Sequence, residues 1–195
     1  MTKARLEAFT DGVIAILITI MVLELKIPHG GEWSDFLPVV PVLLLYLLSF
    51  VFVAIYWVNH HHFFHLVHRV SGPILWANLH LLFWLSLVPF ATLWMGESHF
   101  APVPTAAYGG VALFSGVAWL IMARTIVGAH GPGSPVAVAI GSDVKGKLSG
   151  VLYALAVPLA FVHVGLSLVI FVLVSAMWLV PDRRVERMSR EGGGG

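Results

Sequence analysis

The chain has 195 residues, 58% of them hydrophobic and 11% charged, with a formal net charge of +1 and a mean hydropathy of +0.91. A soluble domain of this size needs more charge to cover its surface, so the composition points to a membrane protein, and the near-neutral balance gives no reason to expect a nucleic-acid partner. There is no cysteine, which excludes disulfides, thiolate metal sites and a cysteine nucleophile.

Crossing about 30 Å of hydrocarbon takes roughly 20 apolar residues per helix. Six such stretches are predicted, near 8–27, 36–58, 73–95, 104–124, 148–162 and 164–180. The fold class is therefore all-α, a polytopic membrane protein with six transmembrane helices forming one domain over 1–195. The first stretch follows Glu7 and Asp11 and lacks a small-residue cleavage site, so it is expected to be a retained span rather than a signal peptide.

Within that first stretch, only Gly12 to Leu23 is nearly free of polar side chains, too short to span alone. The helix must take in Phe9, Thr10 and Asp11 at one end, or Glu24 and Lys26 at the other. Ionisable groups there are costly unless paired or wetted, so this helix is not expected to face lipid all round. At 100° per residue Ile16, Ile20, Leu23 and Ile27 fall within roughly 60° of one another, with Thr19 at the margin and Gly12 nearby. Asp11 points roughly 140° from Ile16, toward neighbouring helices. Two readings of the stripe stay open: ordinary helix packing, or an apolar pore constriction that an ion passes largely dehydrated.

The second stretch ends in "NHHHFFHLVHR", Asn59 to Arg69, where His61 and His65 share a face at i, i+4. A stable metal site wants three or four supported ligands, so an interfacial polar network is expected and no metal is assigned. Pro89 and Pro158 interrupt spans and would kink them. Gly109 and Gly110 in the fourth permit close helix approach. Val127 to Lys147 reads as a flexible Gly, Pro and Ser loop. The last long apolar run pauses only at Pro158, His163 and Gly165, and its length favours two spans joined by a tight hairpin. Trp57, Trp76, Trp94 and Trp178 are most simply belt residues. The tail "PDRRVERMSREGGGG" opens with Pro181 and a basic cluster suited to the headgroup level.

Six spans put both termini on one side with Lys3, Arg5, Arg69, Arg124, Lys145, Lys147, Arg183, Arg184, Arg187 and Arg190, ten of the 11 basic residues; Lys26 lies opposite. The positive-inside rule then makes both termini cytoplasmic. No HExxH, P-loop or GxSxG occurs, and no serine has an acid in its span, so no enzyme, catalytic residue or cofactor is expected.

"RLEAFTDGVIAILIT" followed by "MVLELKIP" resembles the first helix of the bacterial branch of the transmembrane protein 175 family, six-helix relatives of the lysosomal potassium channel. That family opens with Arg, three residues, then Phe-Ser-Asp; here stand Arg5, Phe9, Thr10 and Asp11, with Thr keeping the hydroxyl. "YWVNHHHFFH", "WANLHLLFWLSLVPFAT" and "WLVPDRR" extend the resemblance over most of the chain. It implies a potassium-preferring channel for monovalent cations in the bacterial plasma membrane, without a "TVGYG" filter, assembled as a homotetramer in the lipid bilayer around its first helices. Ile16 would form the narrowest ring, Ile20 and Leu23 further rings, and Thr19 a hydroxyl layer. Arg5 and Asp11 become scaffold, and because an unpaired buried carboxylate is prohibitively costly, Asp11 is expected to accept hydrogen bonds from among His61, Asn78 and His80. The alternative function is a small secondary transporter of cations, proton-coupled through Asp11 or the histidines, though no repeated halves are evident.

Overall fold

The computed structural model of the protein describes residues 2–141 and 143–179, and these form helices joined by short connections. Helix α1 runs Lys3–Leu23, its first turn capped by Thr2, whose hydroxyl accepts from the Arg5 amide. The predicted start at residue 8 moves to Lys3. The helix thus takes in Phe9, Thr10 and Asp11 and stops before Glu24 and Lys26. The short α2 (Trp33–Phe36) and a 3₁₀ turn at Leu37–Val39 lead without a break into α3, Val40–His65. The stretch Trp33–His65 is 33 residues long. That is about 50 Å of helix against about 30 Å of hydrocarbon, so the histidine-rich end projects beyond the apolar layer.

The third predicted span is two helices, α4 (Gly72–Ser86) and α5 (Val88–Glu97), offset at Leu87. Pro89, in the first turn of α5, has no N–H to give to the preceding turn, which accounts for the break. Helix α6, Pro102–His130, starts on a proline and ends where Gly131 turns to φ 91°. It runs past the predicted 124, so the connection expected over 127–147 shrinks and carries its own short helix α7, Pro135–Ile140. Helix α8 (Val144–Val162) and α9 (Val164–Leu179) are separated by His163 alone, in extended backbone. Pro158 lies inside α8. The end of the sixth predicted span at Val180, and the basic tail from Pro181 with Arg183, Arg184, Arg187 and Arg190, lie outside the described residues.

Five of these helical stretches are long and apolar enough to cross a membrane, and α9, with 16 described residues, is a sixth apolar helix. Cross-chain bonds set their directions. At one end Lys3 Nζ donates to the His65 carbonyl, and the His68 and Arg69 amides both donate to His130 Nε2. At the other, Lys26 and Glu97 pair at 2.9 Å. Ser167 Oγ donates to the Ala156 carbonyl and Trp178 Nε1 to Ser149 Oγ, the register of an antiparallel α8–α9 hairpin. Lys3, Arg69 and Lys145 therefore lie at one end, with Lys26 opposite.

A buried hydroxyl chain ties the centre. Thr92 Oγ1 donates to Ser49 Oγ, which donates to the Tyr108 hydroxyl, joining α5, α3 and α6. Around it pack Phe52, Val53, Leu85, Met95 and Phe171. Gly109 admits Phe171, whose ring would lie 3.3 Å from any Cβ there, whereas a Cβ at Gly110 meets nothing within 4 Å.

Candidate functional site

Helix α1 has two unlike faces. Leu6, Thr10, Ile14, Leu17 and Met21 recur every three or four residues and are buried against the chain's own bundle. The other face carries Gly12, Ile16, Thr19, Ile20 and Leu23, all exposed in the protomer, Ile16 at 57% and Leu23 at 79%. Branched aliphatics turned away from the core of the described residues are what an assembly, or lipid, must cover.

Along that face the layers follow one another at a helical turn, about 5 Å apart. Ile16 comes first from the amino-terminal end, then Thr19 with Ile20, then Leu23. The Thr19 hydroxyl donates back to the Ala15 and Ile16 carbonyls, both at 3.0 Å. Its hydrogen is thereby spent on the helix, and its oxygen lone pairs are left to accept from, or coordinate, whatever faces the stripe. Glu24 caps the helix one residue past Leu23 and is exposed. Carboxylate and carbonyl-rich helix end together make that end of the stripe electronegative.

The buried face explains the Phe9-Thr10-Asp11 stretch differently from the expectation. Thr10, fully buried, sits at its centre. Asn78 Nδ2 of α4 donates to Thr10 Oγ1 at 2.9 Å, and the Asn78 carbonyl oxygen lies 3.0 Å from His60 Nε2 of α3. With Asn78 oriented so, His60 carries its proton on Nε2. Three helices are thus held by one buried relay, and no buried side-chain nitrogen or oxygen among the described residues is left without a partner. Asp11 stands at the edge of this face, where its Oδ1 accepts from Trp57 Nε1 at 2.9 Å.

The expected partners of Asp11 are corrected accordingly. Asn78 serves Thr10, His61 Nε2 lies against His65 Nε2 at 3.1 Å, and His80 accepts from Trp84 Nε1. Trp57 takes the place given to them, because it projects from α3 toward α1 while His61 stacks on its ring. Phe9 is half exposed, and the Arg5 guanidinium has no hydrogen-bond partner among the described residues. Trp57 and His60 are the residues missed from sequence. His60 carried a signal, since it shares the Val53–Phe64 face of α3 that reads as core, but the adjacent His61, His62 and His65 masked it. Among the described residues no three His, Asp or Glu side chains gather where a metal ion could be held.

Comparison with known proteins bears on this arrangement. The family model for TMEM175, the endosomal/lysosomal potassium channel, matches residues 5–89, which contain α1 from Arg5 onward, the Thr10–Asn78–His60 relay and the Asp11–Trp57 bond. A potassium channel of Chryseobacterium sp. (strain P1-3) is 49% identical over 191 residues, 98% of this chain and 100% of that one. A potassium channel of Streptomyces collinus (strain DSM 40733 / Tue 365) is 33% identical over 180 residues, 85% and 86% of the two chains. The crystal structure of a Chamaesiphon minutus homolog of the lysosomal potassium-selective channel TMEM175 superposes with a TM-score of 0.80 at 30% identity, covering 93% of this chain and 98% of that one.

Proposed function

The chain belongs to the family of the endosomal/lysosomal potassium channel TMEM175, and from that membership we propose that potassium crosses the membrane passively through a pore lined by α1. The protein is a multi-pass membrane protein and a potassium channel, not an enzyme. The observation that carries the pore reading is the division of α1 into a face buried by its own protomer and an uncovered stripe of Ile16, Thr19, Ile20 and Leu23. Four copies, their first helices side by side around an axis, would turn each stripe residue into a ring.

In that assembly Ile16 forms the narrowest ring, where an ion sheds most of its water. Ile20 and Leu23 continue the apolar lining toward the Glu24 mouth, which concentrates cations. Thr19 sets lone pairs one turn from the constriction, where they replace part of the lost hydration; potassium, which gives up water more cheaply than sodium, gains from that arrangement. Thr10 and Asp11 hold the helix at its fixed rotation through Asn78, His60 and Trp57. The basic residues gathered at the Lys3 end support a bacterial plasma membrane orientation with both termini in the cytoplasm.

The absence of native cysteine makes the test clean. Single cysteines in Ile20→Cys and Leu23→Cys should be joined in pairs between protomers by a short bis-maleimide, giving covalent dimers, while Ile14→Cys and Leu17→Cys should not. Cross-linking at 14 and 17 with none at 20 and 23 would place the opposite face at the axis and remove this pore.

A further inference from the structure

A cavity of about 160 Å³ opens between α3, α6, α8 and α9, away from the α1 stripe and on the far side of α3 from Asp11 and Trp57 in the site described above. Its volume matches the roughly 150 Å³ of an apolar cavity that accepts one benzene ring, so it admits about six carbons of a chain or ring. The walls are aromatic, chiefly Phe52, Tyr56, Trp119 and Tyr153. Its mouth carries Asn59 of α3, the Asp143 carboxylate at the start of α8 and the exposed Lys147 in the second turn of that helix, at the end of the molecule that holds Lys3 and His65.

The walls are not wholly apolar. The hydroxyls of Tyr56 and Tyr153 both line the space, and neither has a hydrogen-bond partner among the described residues. Tyr153 is only 5% exposed. Phe52 and Trp119 beside it supply no acceptor, and Ser149 and Ser175 are the other hydroxyls on the cavity wall. Two hydroxyl donors therefore line a space of ligand size. Side chains on a helix lean toward its amino terminus, so Tyr153 leans along α8 toward the end where Lys147 stands.

A lysine at the mouth, two tyrosine hydroxyls and an aromatic lining offer partners for the phosphate, ester carbonyl and acyl chain of a membrane lipid. We infer that this cavity is a binding site for one ester-linked glycerophospholipid per chain, taken from the leaflet facing the termini, with its phosphate at Lys147, an ester carbonyl on Tyr56 and Tyr153, and part of one acyl chain against Phe52 and Trp119. The bilayer supplies such molecules at high local concentration, and the cavity's open side lets the remainder of the chain lie among its neighbours.

The chemistry separates this occupant from incidental lipid. Delipidated protein is given either diester phosphatidylglycerol or its diether analogue, which keeps the phosphate and chains but lacks the carbonyls, and bound lipids are counted by native mass spectrometry. The wild type should bind one more diester lipid per chain than Gly116→Leu, in which a leucine fills the cavity from a position where a Cβ meets only the Tyr56 hydroxyl, at 3.8 Å. It should also prefer diester to diether by about five- to tenfold, the worth of two ordinary hydrogen bonds. The isosteric pair Tyr56→Phe and Tyr153→Phe should lose that preference while keeping the oligomer. Equal lipid counts in wild type and Gly116→Leu, or an ester preference unchanged by removing both hydroxyls, would overturn the assignment.

Discussion

Thr19 and Thr10 show how one residue type does two jobs on one helix. Thr10 is buried and accepts from Asn78, so it is structural; Thr19 is exposed and gives its hydrogen back to the helix, so its lone pairs face outward. Thr19→Val keeps the shape and removes the hydroxyl, both its outward lone pairs and its bond back to the Ala15 and Ile16 carbonyls. Potassium over sodium preference, read as a reversal-potential shift, should fall roughly threefold for a contact worth about 0.6 kcal/mol, a typical polar contribution within a membrane protein. An unchanged ratio would take Thr19 out of the selectivity account. The two polar bonds of the buried face should differ in the other direction. Asn78→Leu strands Thr10 and His60 in the core and should cost about 1–3 kcal/mol in thermal stability of the oligomer. Trp57→Phe loses one bond to the exposed Asp11 and should cost about 0.2–1 kcal/mol. Equal losses would mean that Asp11, not Thr10, anchors the helix. The stripe residues were legible from sequence because 3.6-residue periodicity sorts a helix into faces. Trp57 and His60 were not, because periodicity says which way a side chain points on its own helix and nothing about which helix waits there.

At the scale of elements, the placement of the helices follows from composition, and their ends do not. Hydropathy marks where the hydrocarbon layer lies, yet α3 and α6 run on past it into His61–His65 and Val127–His130, held by backbone and by bonds such as His130 to the 68–69 amides. Those bonds join residues some 60 positions apart and leave no local pattern. The break between α4 and α5 was legible, since Pro89 cannot donate; the hydroxyl chain Thr92–Ser49–Tyr108 was not, since serine and threonine in apolar spans look alike whether or not they find one another. The glycine pair in α6 shows the same limit. Gly109→Val would press into Phe171 and Val157 and should cost about 1–3 kcal/mol of stability, as overpacked cores do. Gly110→Val meets open space and should be near neutral by thermal unfolding. A larger loss at Gly110 would reveal a contact made only between protomers.

For the whole molecule, a protomer that buries one face of its first helix and leaves the isoleucine stripe bare is half of a construction. Its three-helix relay and the Asp11–Trp57 bond fix the rotation of α1, and the α8–α9 hairpin packs against α6 without touching the stripe. The central claim is that ions pass where Ile16 is narrowest. Potassium efflux from proteoliposomes, wild type against Ile16→Asn, tests it most directly. A polar ring at that level should raise passive flux about tenfold, equivalent to a barrier lower by about 1.4 kcal/mol. Flux that saturates, requires a counter-ion gradient and is the same in both proteins would contradict the account and make the chain a carrier.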